Sequence, residues 1–166
     1  MAGTVVVEQS RAIPVEVGRA FAVTLPLPLT ELFHRRYALL PPIREVRQPD
    51  APWGRVGQAR VIVTADGGTM REELTEVDAP RSFAYRLTDI TGPMRPLVER
   101  VDGRWSFTPV GTGTSVTWRW TLHPRGAVGA RVLPLVARMW RGYARQALEE
   151  LSDRLLTSEE PGPTPG

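Results

Sequence analysis

The sequence predicts an α+β domain in which a curved antiparallel sheet of about seven strands carries one long C-terminal helix on a single face. Three observations support this fold class. Between residues 43 and 123, apolar and polar residues alternate in short runs separated by turn residues. From about residue 127 to residue 156, the apolar spacing changes to the helical period. The 166 residues are 42% hydrophobic and 23% charged, which is typical of one globular domain.

The N-terminal part predicts one strand followed by two short helices. Residues 4–11 are rich in β-branched side chains, and Pro14 then opens a short pattern of apolar residues at helical spacing. Residues 29–36 form the second short helical pattern, which ends before the prolines at 41 and 42. We expect the domain to cover residues 4–156. The tail 157–166 consists largely of Pro, Gly, Ser and Glu and is expected to be disordered.

Six further strands are expected after the short helices, and the chain then ends in the long helix. The strand candidates are 43–47, 56–65, 69–78, 81–90, 99–109 and 113–122. The final helix places its apolar residues on one side and its arginines on the other. The apolar side contains Leu133, Val136, Ala137, Trp140, Ala144, Ala147, Leu148, Leu151 and Leu155, and the opposite side contains Arg131, Arg138, Arg141 and Arg145.

Two-residue hairpin loops predict the pairing of the central strands. A loop at 79–80 places Leu74 opposite Tyr85, and a loop at 66–67 or 67–68 places Arg60 on the face away from the helix. One face then becomes apolar and must be covered by the helix. Its expected members are Val61, Val63, Met70, Leu74, Phe83, Tyr85, Leu87, Trp105, Phe107, Val116, Trp118, Trp120 and Leu122.

The order of these elements, together with four local stretches, resembles the START/polyketide-cyclase superfamily. The stretches are AIPVEVGRAF, REELTEVDAPRSFAYRL, GRWSFTPVGTGTSVTW and the closing LEELSDRLL, and the resemblance covers about residues 4–156. It is to bacterial members of the SRPBCC type, similar to polyketide cyclases and dehydrases. The resemblance implies a helix-grip fold, in which the sheet wraps around the long helix. It does not imply one activity, because the superfamily includes lipid carriers, cyclases and co-chaperone-like modules.

A sheet that curls around a helix can leave a cavity, which large aromatic side chains would line. The candidate ligand-binding residues are Met70, Glu72, Phe83, Tyr85, Leu87, Trp105, Phe107, Trp118, Trp120 and Trp140. The simpler interpretation is that these side chains only fill the core. The mouth of the cavity is expected at segments 65–68, 89–98 and 123–131, with Asp89 and Glu99 beside it.

Glu72 and Tyr85 are the candidate catalytic residues if the cavity hosts a reaction. The predicted register places Glu72 on the apolar face with no basic partner in the neighbouring strands, and Glu76 shares that face near the end of the strand. Burial should then raise the pKa of Glu72, and Glu72→Gln should maintain or increase stability. The alternative is a local β-bulge that turns Glu72 outward.

Several classes of site lack support in the sequence. There is no cysteine and there are only two histidines, His34 and His123, so no metal or organic cofactor is expected. The GTGTS run at 111–115 joins two strands, which predicts a hairpin turn rather than a phosphate loop. The net charge is only +3 despite a pI of 10.1, because every basic residue is arginine, and nucleic acid is therefore not an expected partner.

These observations favour binding or transport of a hydrophobic small molecule, such as a lipid or polyketide-like compound, in an internal cavity. The alternative is a polyketide cyclase or dehydratase that uses acidic and basic groups in the cavity. A co-chaperone-type module is a third class, but the polar outer face of the sheet offers no apolar patch for it.

No signal peptide or apolar span is evident, so the expected location is cytoplasmic. The abundance of Arg, Ala, Gly and Pro suggests a GC-rich bacterium. Contact of the arginine stripe with an anionic membrane is a weaker expectation, and the sequence leaves the oligomeric state open.

Overall fold

The computed structural model describes residues 3–48 and 52–157, and these residues form a helix-grip α+β fold. The elements in chain order are β1 (Val5–Ile13), α1 (Val17–Thr24), α2 (Leu29–Leu32), β2 (Ile43–Arg47), β3 (Ala59–Thr64), β4 (Thr69–Asp78), β5 (Ser82–Thr88), β6 (Val98–Val110), β7 (Gly113–Pro124) and α3 (Gly126–Thr157). A short 3₁₀ turn, Gly92–Met94, interrupts the connection between β5 and β6. Of the predicted tail, only Thr157 is described, and it is the last residue of α3.

The seven strands form one antiparallel sheet in the order β1-β7-β6-β5-β4-β3-β2. Strands β2 to β7 each pair with the next strand in the chain, whereas β1 pairs with β7 at one edge of the sheet. The apolar face packs against α3, and the ring centroids of Trp118 on β7 and Trp140 on α3 lie 4.7 Å apart. The predicted fold class is therefore confirmed. No helix in the described residues is long and apolar enough to span a membrane.

The short helices α1 and α2 close one end of the layer between the sheet and α3. Phe21 on α1 makes an edge contact with Phe107 at 5.5 Å. Phe33, directly after α2, stacks on Tyr143 of α3 at 5.5 Å. Two side-chain contacts join this region to the end of α3. Arg154 forms an ion pair with Glu31, and His34 Nε2 lies 3.2 Å from Glu150.

The predicted register between β3 and β4 is wrong by one residue. The chain turns through the three residues 65–67, and Thr64 N donates to Gly68 O at 2.9 Å. Because this loop has an odd number of residues, it reverses the faces that a two-residue loop would give. Arg60 therefore lies opposite Glu72 on the face toward the helix, together with Ile62, whereas Val61 lies opposite Arg71.

The predicted register between β4 and β5 is confirmed in its first half and shifted in its second. Leu74 lies opposite Tyr85 as expected, but Glu76 lies opposite Ala84 because a bulge intervenes at Thr75. This bulge turns Glu76 to the outer face, where its carboxylate accepts a hydrogen bond of 2.7 Å from Arg104. The alternative of a bulge that turns Glu72 outward does not occur, because the bulge lies further along the strand.

Candidate functional site

A cavity of about 120 Å³ lies between the sheet and α3. Its wall contains nine of the ten side chains predicted to bind ligand: Met70, Glu72, Phe83, Tyr85, Leu87, Trp105, Trp118, Trp120 and Trp140. Phe107 is the exception. It is 2% exposed and packs between α1 and the sheet, with its ring centroid 6.1 Å from that of Phe83.

The floor of the cavity is a set of contacting indole rings. Trp105 and Trp118 stack with 5.2 Å between centroids and 13° between ring planes. Trp140 from α3 packs against Trp118 and, at 5.7 Å, against Trp120. Contacts of this kind fix the rings, because each is held by several aromatic neighbours. The result is a rigid apolar floor.

Tyr85 supplies a polar group above this floor. Its hydroxyl oxygen accepts hydrogen bonds from the indole N–H groups of Trp118, at 2.7 Å, and Trp120, at 2.8 Å. Tyr85 lies on β5 and the two indoles on β7, so its ring crosses the intervening strand β6 at Gly103. A Cβ placed on Gly103 would lie 2.1 Å from the Tyr85 ring, so only glycine leaves room for this crossing.

The hydroxyl hydrogen of Tyr85 has no acceptor among the described residues, since both of its hydrogen bonds there are accepted ones. Burial strongly raises the pKa of Tyr85, and the nearby Glu72 carboxylate adds to that rise. The phenol therefore stays protonated at neutral pH. It can donate one hydrogen bond to an acceptor atom on a molecule in the cavity.

Glu72 forms a buried ion pair with Arg60 at one side of the cavity. Both Nε and Nη2 of Arg60 donate to Oε1 of Glu72, at 3.0 and 2.7 Å. The Arg60 guanidinium also stacks on Trp53, with its central carbon 4.0 Å from the ring centroid. The two charged side chains are 6% and 5% exposed, so water screens their attraction very little.

The expectation that Glu72 has no basic partner is therefore wrong, although its predicted burial is correct. Burial raises the pKa of the Glu72 carboxyl above its ordinary value, and the Arg60 guanidinium opposes that shift. The second oxygen, Oε2, has no hydrogen-bond partner within residues 3–48 and 52–157. The cavity thus holds one acceptor at Glu72 and one donor at Tyr85, each available to a bound molecule.

The other predicted polar residues lie elsewhere. Asp89 and Glu99 are exposed and border a shallow outer groove with Arg95, Arg100 and Arg125 rather than the cavity. His123 lies on the outer face of the sheet, where its Nε2 is 2.8 Å from Asp102. Three segments are predicted to form the mouth of the cavity. Two of them contribute residues to its wall, 65–68 and 89–98, whereas 123–131 contributes none.

The sequence pattern does not predict Arg60, which pairs with Glu72, or Trp53, which stacks on Arg60, and it also misses the cavity-lining residues of α1, α2 and the loop after α2. Arg60 is expected on the outer face, and Trp53 lies in a connection that predicts only a turn. One sequence signal could have identified Arg60 and Trp53. An aromatic residue in a Pro- and Gly-rich loop stands a few positions before a strand that is apolar except for a single arginine. Among the described residues, no group of three or more histidine, cysteine or carboxylate side chains is arranged to hold a metal ion.

Comparison with known proteins gives one family match and many similar folds. A family model described as polyketide cyclase/dehydrase and lipid transport matches residues 4–155. No curated protein sequence matches the chain.

Three solved structures illustrate the likeness. The ZhuI aromatase/cyclase from Streptomyces sp. R1128 has a TM-score of 0.73 at 14% identity, covering 95% of this chain and 97% of that one. A point mutant of norcoclaurine synthase from Thalictrum flavum, in complex with a transition-state analogue, has a TM-score of 0.71 at 13% identity, covering 96% and 99%. TTHA0849 from Thermus thermophilus has a TM-score of 0.66 at 20% identity, covering 94% and 100%. At such identities the likeness establishes the fold alone.

Proposed function

Because the chain belongs to the polyketide cyclase/dehydrase and lipid transport family, we propose that it binds a hydrophobic small molecule, lipid-like or polyketide-like, between the sheet and α3. The observation that carries this proposal is the cavity itself, with its indole floor, its mostly apolar wall and the available polar atoms of Tyr85 and Glu72. An apolar enclosure with few polar groups is the usual form of a small-molecule site. The ligand would be mostly apolar, with an oxygen that accepts from Tyr85 and a hydroxyl that donates to Glu72.

The size of the cavity limits what binds without movement. Its volume of about 120 Å³ is slightly less than the roughly 150 Å³ of an engineered apolar cavity that admits benzene. A ring-sized group fits between the indoles and α3. A longer lipid or polyketide requires the segments around Leu40 and Met94, which also line the cavity, to move outward.

Binding of an uncharged fluorophore, N-phenyl-1-naphthylamine, tests this proposal. We expect its emission to rise on binding and tryptophan emission to be quenched. Met70→Trp adds bulk inside the cavity and should raise the Kd at least tenfold. Val110→Trp is the matched control, because Val110 is 55% exposed at the distant β6–β7 turn. Equal Kd values for both variants would contradict the cavity as the site, and no binding by the wild type would contradict the outward movement that a probe of three rings requires.

An enzyme is the second candidate, and the buried Arg60–Glu72 pair beside Tyr85 is the observation that favours it. In an aldol-type cyclisation of a poly-β-keto chain, Oε2 of Glu72 would take a proton from a methylene between two carbonyls. The resulting enolate carbon would attack a distant carbonyl carbon, and the new alkoxide would take up the proton held by Glu72 as the ring closes, which regenerates the carboxylate. Tyr85 would hold a carbonyl oxygen by donating to it.

A poly-β-keto thioester followed by mass spectrometry distinguishes carrier from enzyme. An enzyme forms a cyclised or dehydrated product faster than the thioester does alone, and Glu72→Gln abolishes that excess rate. Glu73→Gln is the matched control, because Glu73 pairs with Arg71 on the outer face with both side chains about two-fifths exposed. Recovery of the unchanged thioester bound to the protein supports the carrier and contradicts the enzyme.

A further inference from the structure

The first two thirds of α3 carry a row of arginines without carboxylate partners. Arg131, Arg138, Arg141 and Arg145 are exposed, and within the described residues none forms an ion pair. No acidic residue occurs between positions 126 and 148 of the sequence. Arginines on the sheet differ, because they face carboxylates across strands, as Arg104 does with Glu76 and Arg119 with Glu8.

Exposed apolar side chains lie beside this row. Val128 is 67% exposed and Leu135 is 58% exposed, and helical spacing places both along one border of the arginine stripe. Leu39, 77% exposed, extends this border from the loop after α2. That loop packs on the same helix, because a Cβ placed on Gly142 would lie 2.0 Å from the Tyr37 ring. We call Leu39, Val128, Leu135 and the four arginines the α3 basic surface.

The segments that contact α3 beneath the α3 basic surface also form part of the cavity wall. The Tyr143 hydroxyl donates to Pro41 O at 2.9 Å, and Pro41 lines the cavity. Nearer the start of α3, the Leu97 carbonyl lies against the buried Gly129, and Met94 of the same connection lines the cavity. A flat object held against this surface would therefore lie beside the cavity wall.

We propose that the α3 basic surface docks on an anionic lipid bilayer. Arginine charges attract anionic headgroups while adjacent apolar side chains enter the interface, which is the pattern of a peripheral membrane-binding helix. The N-terminus of α3 adds to the positive potential, since its first turn has no acidic residue. The apolar border favours a bilayer over a nucleic acid, which would be bound by charge alone or with exposed aromatic rings. This docking does not depend on the proposed ligand.

Sedimentation with vesicles tests the proposal in the full chain. We expect binding to vesicles of phosphatidylcholine with phosphatidylglycerol, weaker binding at high salt, and none to phosphatidylcholine alone. The double variant Arg131→Gln/Arg138→Gln should lower the partition coefficient about 25-fold, at about fivefold per arginine. The control Arg11→Gln/Arg55→Gln removes the same charge from exposed positions at the far end of the sheet and should leave partitioning nearly unchanged.

A second pair of variants tests the contribution of the apolar side chains to vesicle binding. Circular dichroism verifies that every variant folds. Leu135→Ser should weaken vesicle binding, whereas Val110→Ser, of similar exposure, should not. Three results would overturn the proposal. They are absence of binding to anionic vesicles at low salt, equal loss in both arginine double variants, and retention on duplex DNA without vesicle binding. Dimerisation without lipid that Leu135→Ser abolishes would instead assign the surface to a second copy of the chain.

Discussion

Breaking the buried Arg60–Glu72 pair should be one of the most destabilising single changes on the sheet. Arg60→Met removes the guanidinium and leaves the Glu72 carboxylate in a site where it is only 5% exposed. Losing one partner of a buried ion pair costs about 3–5 kcal/mol, because the remaining charge is uncompensated. For a chain of this size, each kcal/mol lowers the Tm by about 2–4 °C. We therefore expect a fall of roughly 6–20 °C near pH 8.

The costs of Arg60→Met and Glu72→Gln should depend on pH in opposite directions, rising for the first and falling for the second as pH increases. Without Arg60, the folded-state pKa of Glu72 lies further above its ordinary value of 4.5, so the folded state holds the proton more tightly than the unfolded state. Stability is then greatest below the unfolded pKa. It decreases as pH rises toward the folded pKa, by at most about 1.4 kcal/mol per pH unit. Glu72→Gln leaves a buried arginine that cannot deprotonate, but it also removes the raised titration of Glu72, so its cost relative to wild type falls as pH rises over this range.

Urea unfolding from about pH 4.5 to about pH 8.5 measures both effects, because this range spans the rise from the unfolded pKa toward the folded one. The control Arg71→Met breaks the neighbouring Arg71–Glu73 pair, whose side chains are 42% and 40% exposed, and should cost less than about 1 kcal/mol. The double variant Arg60→Met/Glu72→Leu should recover most of the lost stability. A pH-independent cost for Arg60→Met, or a cost no larger than that of Arg71→Met, would refute the burial of the pair.

The remaining predictions concern the hydroxyl of Tyr85. Tyr85→Phe leaves the indole N–H groups of Trp118 and Trp120 without their acceptor, which should lower the free energy of unfolding by about 2–4 kcal/mol. Both indole N–H resonances should also broaden in NMR spectra. Unchanged chemical shifts of these two resonances would contradict the hydrogen bonds. Gly103→Ala forces the Tyr85 ring off strand β6, so it should destabilise by about 1–3 kcal/mol and perturb the same two resonances. A neutral Gly103→Ala substitution would show that the ring does not cross there.

The predictability of this fold follows from its alternation pattern, and the errors follow from turn geometry. In β5, β6 and β7, apolar and polar residues alternate over long runs, so the face of Tyr85 or Trp118 is determined by its position in the sequence. The ADGG turn after β3 allows loops of two or three residues, and the choice reverses every side chain of the strand. The wrong face predicted for Arg60 follows from this choice alone.

The polar part of the candidate site was harder to predict because it depends on contacts distant in the chain. The Trp53 ring that stacks on Arg60 comes from a connection with no periodicity, so no pattern indicates where it packs. The bulge at Thr75, which turns Glu76 outward, has no clear residue signature. The apolar wall was predictable from hydrophobic spacing, whereas the Arg60–Glu72 pair required the tertiary structure.

The pairing of β1 with β7 has a consequence for biosynthesis. Ser10 and Thr117, which hydrogen-bond across this pair, are 107 positions apart in the chain. At ribosomal rates of about 5–20 residues per second, the first strand waits roughly 5–20 s before β7, with which it pairs, is made. During that time its valine-rich backbone edge is open to any other extended chain. We expect the nascent chain to be most exposed to association with other chains during this interval.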